Sequence, residues 1–190
     1  LLDWATRNAE ALLRRAGLEQ AALEDLRAVL GLPSLPVRID GFDISHTQGV
    51  ETVASLVTFL NGRPWKEGYR TYKIRTVGGP DDTAAMSEVV NRRFVRLLRE
   101  QRPLPDFVLV DGGLPQLGAA RESLAGLGLA GLPVGALAKK EEIVFIAGRP
   151  AGIRLEKTSS ALKLIQHIRD EAHRFAVSFH RRRRTKRSFA

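Results

Sequence analysis

The chain has no cysteine among its 190 residues. That excludes a disulfide framework and a thiolate zinc site, and it fits a reducing compartment. Long apolar runs are also missing: the longest, such as Phe107 to Val110, are far too short to span a bilayer. The opening LLDWATRNAE lacks a basic stretch followed by a cleavage site, so no targeting signal is read there. There is no internal repeat, and no low-complexity tract apart from a run of arginines. These absences predict a soluble, cytoplasmic protein with no membrane partner.

What is present is a 44% hydrophobic composition, enough for one substantial core plus an appendage. Lys and Arg outnumber Asp and Glu by 30 to 21, giving a net charge of +9. Such a surface attracts polyanions, nucleic acid first. The charge concentrates in the tail HRRRRTKR, with Arg181, Arg182, Arg183, Arg184, Lys186 and Arg187, and in the row Arg92, Arg96 and Arg99 with Arg93 beside it. On a helix that row stacks on one face, and both clusters are candidate DNA contacts. A solvated helix face and a frayed basic terminus are the plainer alternative.

Apolar spacing predicts a helix over Leu2–Leu30, with Gly17 as a possible break and Gly31 and Pro33 ending it. After LPSLP, runs at Val37–Ile44, TVASLVTFL and GYRTYKIR read as three successive antiparallel strands. A helix follows through Met86, Val89, Val90, Phe94, Leu97 and Leu98, capped by Asp81 or Asp82. DFVLVDGG reads as a fully buried strand, then come a helix from about Pro115 to Leu127, strands in LPVGALA and EIVFIAG, and a helix over Ser159–Phe179. That helix has its seam at Ile165, Ile168, Ala172, Phe175 and Phe179. The order predicts an α/β fold: a mixed sheet, an antiparallel three-strand meander followed by parallel strands, with helices on both faces.

Two strands carry an anomaly. Asp43 follows Val37, Ile39 and Gly41 on one apolar face, and Asp111 ends FVLVD before Gly112 and Gly113. If those strands are adjacent and parallel, two carboxylates meet at one sheet edge, where a hard divalent cation is the usual counter-charge. Each aspartate alone also fits an Asx-turn, and Asp82 fits helix capping. His46 lies just after Asp43. His173 flanks the core seam of the last helix, as a packing histidine also would.

FDISHTQGVETVAS, GGPDDTAAMSEVV, FVLVDGGLPQL and SSALKLIQHIRDEAHRFAVSFHRRRRTKR closely resemble, in order, the C-terminal endonuclease half of the UvrC family, the incision subunit of the bacterial excinuclease ABC. The likeness runs from about Val37 to Arg187. It implies an RNase H-like nuclease that cuts damaged double-stranded DNA on the 5′ side of a lesion, using Mg2+ or Mn2+. It also implies site residues Asp43, Asp82, Asp111 and His173, the three aspartates as metal ligands, and UvrB as partner with UvrA upstream. Leu114 and Pro115 depart from the Lys or Gly common after DGG in the family, and Thr83 from its usual Tyr. The expected organisation is a helical connector over 1–32, the nuclease domain over 33–180 and a basic tail over 181–190. In the family a GIY-YIG nuclease and a UvrB-contacting region precede this part, and a helix-hairpin-helix region follows it. Two competing readings are a non-catalytic DNA-binding module on the same frame and a hydrolase of small phosphates. The full set of Asp43, Asp82, Asp111 and His173 argues against the first, and the arginine-rich tail against the second.

Overall fold

The structure, a computed structural model, describes residues 2–46, 52–75, 81–138 and 142–188, with side chains from Thr6 to Ser178. In chain order its elements are α1 (Leu2–Leu30), β1 (Arg38–His46), β2 (Thr52–Leu60), β3 (Arg63–Pro64), β4 (Arg70–Lys73), α2 (Asp82–Arg99), β5 (Phe107–Asp111), α3 (Leu114–Gly126), β6 (Val134–Ala138), β7 (Ile143–Ile146), β8 (Arg149–Arg154) and α4 (Ser160–Ser188). The strands form one sheet in the order β3-β2-β1-β5-β6-β7-β8, with β4 also paired to β2.

The meander is antiparallel, β1 against β2 and β2 against β4, and then β1, β5 and β6 run parallel. Alternation along the strands sorts the core into two layers. Ile39, Phe107 and Leu109 pack under α4 and the second half of α1, whose Leu23, Leu26 and Leu30 are buried with Ile165, Ile168 and Ala172. Phe42, Val108 and Val110 face the other way, onto Met86, Val90 and Phe94 of α2 and Leu117 and Leu124 of α3. The central strands are thus covered on both faces, as their near-continuous apolar runs require. Among the described residues no helix is long and apolar enough to cross a membrane.

Two expectations need correction. Gly17 does not break α1, which runs unbroken through it; one glycine costs an exposed helix only about 1 kcal/mol. β8 was not among the expected strands; its segment carries Pro150 and Gly152, both poor strand formers. It is an edge strand paired only with β7, where a proline is tolerated.

Candidate active site

Asp43 belongs to the α4 face of β1, in step with Ile39 and Gly41, and is only 3% exposed. On β5 the same face carries Phe107, Leu109 and Asp111. The parallel register pairs Gly41 with Leu109 and Phe42 with Val110, so Asp43 and Asp111 stand side by side one step further along, where β5 ends and three residues before β1 does. Adjacent strands lie about 5 Å apart. Neither aspartate is a turn residue: both are the last charged steps of buried strands.

α4 brings His173 to this edge, with Nδ1 3.6 Å from Asp43 Oδ2 and the side chain 62% exposed. Three contacts set the crossing. Gly41 admits the helix, since a Cβ there would lie 2.5 Å from Ile168 Cγ2. The Ser55 hydroxyl of β2 donates to the Ala172 carbonyl at 2.9 Å, one residue before His173. The Tyr69 hydroxyl donates to Glu171 Oε1 at 2.9 Å, and Arg174 holds the same carboxylate. Burial, then the Glu171 carboxylate, push the Tyr69 phenol well above its usual range. Burial of Glu171 opposes its charge, but hydrogen bonds from Arg174 and Tyr69 outweigh it and hold the carboxyl below its usual range.

Asp82 is disposed differently. The cap of α2 is Asp81, whose Oδ1 accepts from the Thr83 and Ala84 N–H groups at 3.0 Å each. Asp82, the first helical residue, is thereby released from capping, and its Oδ1 lies 2.6 Å from His46 Nε2. His46 is the last residue of β1, on the face opposite Asp43, and its Nδ1 is 3.1 Å from Thr52 Oγ1. The structure therefore brings Asp43 together with Asp111 and His173, and joins Asp82 to His46. Sequence reading placed His46 in a loop and gave it no role. The available signal was the even-numbered alternation Asp40, Phe42, Ile44, His46, which aims it at α2.

After Asp111 the chain turns through Gly112, whose φ of +154° favours glycine and where a Cβ would lie 2.8 Å from Gln116 Cγ. Gln116 Oε1 accepts the Gly113 N–H at 3.0 Å, so a residue of the divergent LPQ segment closes the start of α3.

The basic row divides. Arg93 is no DNA contact: it is 3% exposed, and its Nε and Nη2 donate to Asp40 Oδ2 at 3.1 and 3.0 Å. Arg92 lies over the Tyr72 ring and bonds Glu88, and Arg96 bonds Glu100. Arg99 is exposed with no ion pair among the described residues. Arg181, Arg182, Arg183, Arg184, Lys186 and Arg187 lie on α4, which continues to Ser188. Their side chains, like those of Phe179 and His180, fall outside the described residues.

Two carboxylates on one face at neighbouring strand ends are the hard oxygen donors that Mg2+ or Mn2+ takes, and the donor set fits such an ion. Among the described residues no three or more His, Cys, Asp or Glu side chains gather closely enough to hold a metal ion by themselves. An open site of few protein ligands suits Mg2+, which keeps several waters.

A mixed sheet of this order, helices on both faces and carboxylates at the ends of its first and central parallel strands define an RNase H-like domain. The family model described as the UvrC RNAse H endonuclease domain matches residues 27–177. The chain belongs to that family. UvrABC system protein C of Gemmatimonas aurantiaca is 49% identical over 198 residues, covering 99% of this chain and 32% of that protein. The protein of the same name from Moorella thermoacetica is 46% identical over 187 residues, covering 95% and 30%. The chain thus spans about a third of these relatives' length. Among solved structures, Ciona intestinalis endonuclease V in complex with a 24mer DNA containing an inosine followed by a ribo-adenosine is similar at 18% identity and a TM-score of 0.41, over 70% of this chain and 58% of that one.

Proposed function

We propose that this domain is the divalent-metal-dependent DNA endonuclease that makes the 5′ incision beside a lesion in bacterial nucleotide excision repair, acting in the cytoplasm with UvrB, and with UvrA upstream. The observation that carries the reading is the pairing of Asp43 and Asp111 on one face at the ends of neighbouring strands, with His173 beside Asp43. Family membership and the names of the curated relatives support it.

Asp43 and Asp111 would hold Mg2+ or Mn2+ through carboxylate oxygens, with Asp82 as a further ligand or outer partner from the α2 side. Bound there, the ion would lower the pKa of a coordinated water and offset charge on the attacked phosphate. His173, more than half exposed at the same edge, orients the phosphate or passes a proton to the departing oxygen. Arg99 and the arginine run of α4 engage DNA phosphates, which positions the duplex without reading its sequence.

The test is nicking of supercoiled plasmid with Mn2+, Mg2+ or chelator, comparing the wild type with Asp43→Asn and Asp111→Asn and scoring DNA binding in the same samples. Metal-dependent nicking is expected in the wild type and should vanish in both variants, while affinity stays equal or rises because repulsion of phosphate is relieved. Loss of binding together with cutting would count against the metal-site assignment. Binding without nicking in every metal would favour a non-catalytic DNA-binding module.

A further inference from the structure

Thr52, His46 and Asp82 form a hydrogen-bonded chain at the rim of the sheet, apart from the contact of His173 with Asp43. His46 Nε2 lies 2.6 Å from Asp82 Oδ1, and Nδ1 lies 3.1 Å from Thr52 Oγ1. A carboxylate oxygen accepts, so Nε2 carries the donated proton; in the neutral ring Nδ1 is then an acceptor, and the Thr52 hydroxyl donates to it. The Asp82 carboxylate, which can only accept, thus selects the tautomer, and the Thr52 hydroxyl, which can donate, accommodates it and holds the far side of the ring. The place of Thr52 is set by the sheet, because His46 and Thr52 are the last facing pair of the β1–β2 ladder. The grip answers no shortage of caps on α2, since Asp81 already serves that terminus.

We propose that His46 and Thr52 are positioning residues for Asp82, holding its Oδ1 at the rim and so fixing how this carboxylate is presented to the divalent ion. The inference rests on the nuclease reading above and adds to it a support that acts only through Asp82. Hydrogen-bonded partners of this kind fix a ligand's orientation, and their loss typically weakens metal binding by about 10–100-fold.

The experiment has two arms on the whole chain. In the metal-free protein, 15N NMR of the His46 ring should show the Nε2-protonated tautomer, with mixed tautomers once the carboxylate is removed in Asp82→Ala; an Nδ1-protonated ring in the wild type overturns the proposal. In the second arm, Mn2+ binding is followed by electron paramagnetic resonance, and melting curves verify that each variant is folded. His46→Ala should weaken binding about tenfold, His46→Gln should recover most of it through its amide donor, and His46→Ala should add nothing in an Asp82→Ala background. Unchanged affinity in His46→Ala, or an effect that adds in full to that of Asp82→Ala, overturns the proposal. Asp43→Asn separates the two readings. If it abolishes Mn2+ binding while His46→Ala does not weaken it, the nuclease reading stands and this one falls; if Asp43→Asn binds Mn2+ like the wild type, the metal centre itself is wrong.

Discussion

Asp40 and Arg93 bury a full charge each beneath α2, and the arrangement is tolerable only because the pair is well satisfied. Two guanidinium N–H groups meet one carboxylate oxygen, and the Thr58 hydroxyl donates to the other at 2.8 Å. Arg93→Ala would leave Asp40 with only the looser Arg38 guanidinium, 3.8 Å from Oδ1, as counter-charge, and the expected cost is at most about 3–5 kcal/mol, read as a lowered midpoint in thermal or urea unfolding. The salt dependence of DNA binding should not move, since Arg93 touches no solvent-facing phosphate site; a flatter slope would return Arg93 to the interface. The difference between Arg93 and Arg92 or Arg96 lay in the spacing: Arg93 falls three residues after Val90 and four before Leu97, on the apolar seam of α2, whereas the other two fall to one side of it; reading the arginines as one basic row hid this. Asp43 was legible as an anomaly because it interrupts the apolar face of Ile39 and Gly41, but Asp40 on the other face of β1 shows that a buried carboxylate can also be structural, and only the structure separates the two.

At the scale of elements, the site depends on how α4 lies across the sheet. Gly41→Ala forces a methyl to within 2.5 Å of Ile168 Cγ2, so the helix must lift or the strand must bend. Overpacking of this kind costs about 1–3 kcal/mol. The stronger expectation is functional: His173 should move off Asp43, and Mn2+-dependent nicking should fall more than stability does. A variant that melts early but cuts at the wild-type rate would mean that the crossing does not set His173. The three-strand meander was legible from alternation and turn residues, whereas the parallel pairing behind Asp43 and Asp111 entered only as a condition that the structure meets. The partner of His173 was not legible, since it depends on a helix crossing fixed by Gly41 of β1, Ser55 of β2 and Tyr69 just before β4. The ambiguity at the start of α2 likewise ended only in the backbone, where Asp81 takes the cap and Asp82 is left for His46.

Across the whole molecule, α1 and α4 close one face of the sheet, and the Tyr69–Glu171–Arg174 cluster ties that layer to the meander. Glu171 titrates below its ordinary value of 4.5 in the folded chain, so its contribution is fully present above about pH 4.5 and is lost as the pH falls through the lowered value. Glu171→Gln should therefore be less stable than the wild type at neutral pH, with the gap narrowing below pH 4.5 in pH-dependent unfolding curves. A gap that stays constant with pH would assign the effect to packing rather than charge.

The centre around Asp43 draws one carboxylate from the meander, one from a strand that returns only after α2, and a histidine from the last helix. None of these residues is near another in sequence. Pairing of that kind is slow, because long loops must close before any contact rewards them. On the proposed function, cutting capacity would be a late product of folding: a nascent or partly unfolded chain holds the same side chains but no centre, and would carry its arginines to DNA without the means to break it.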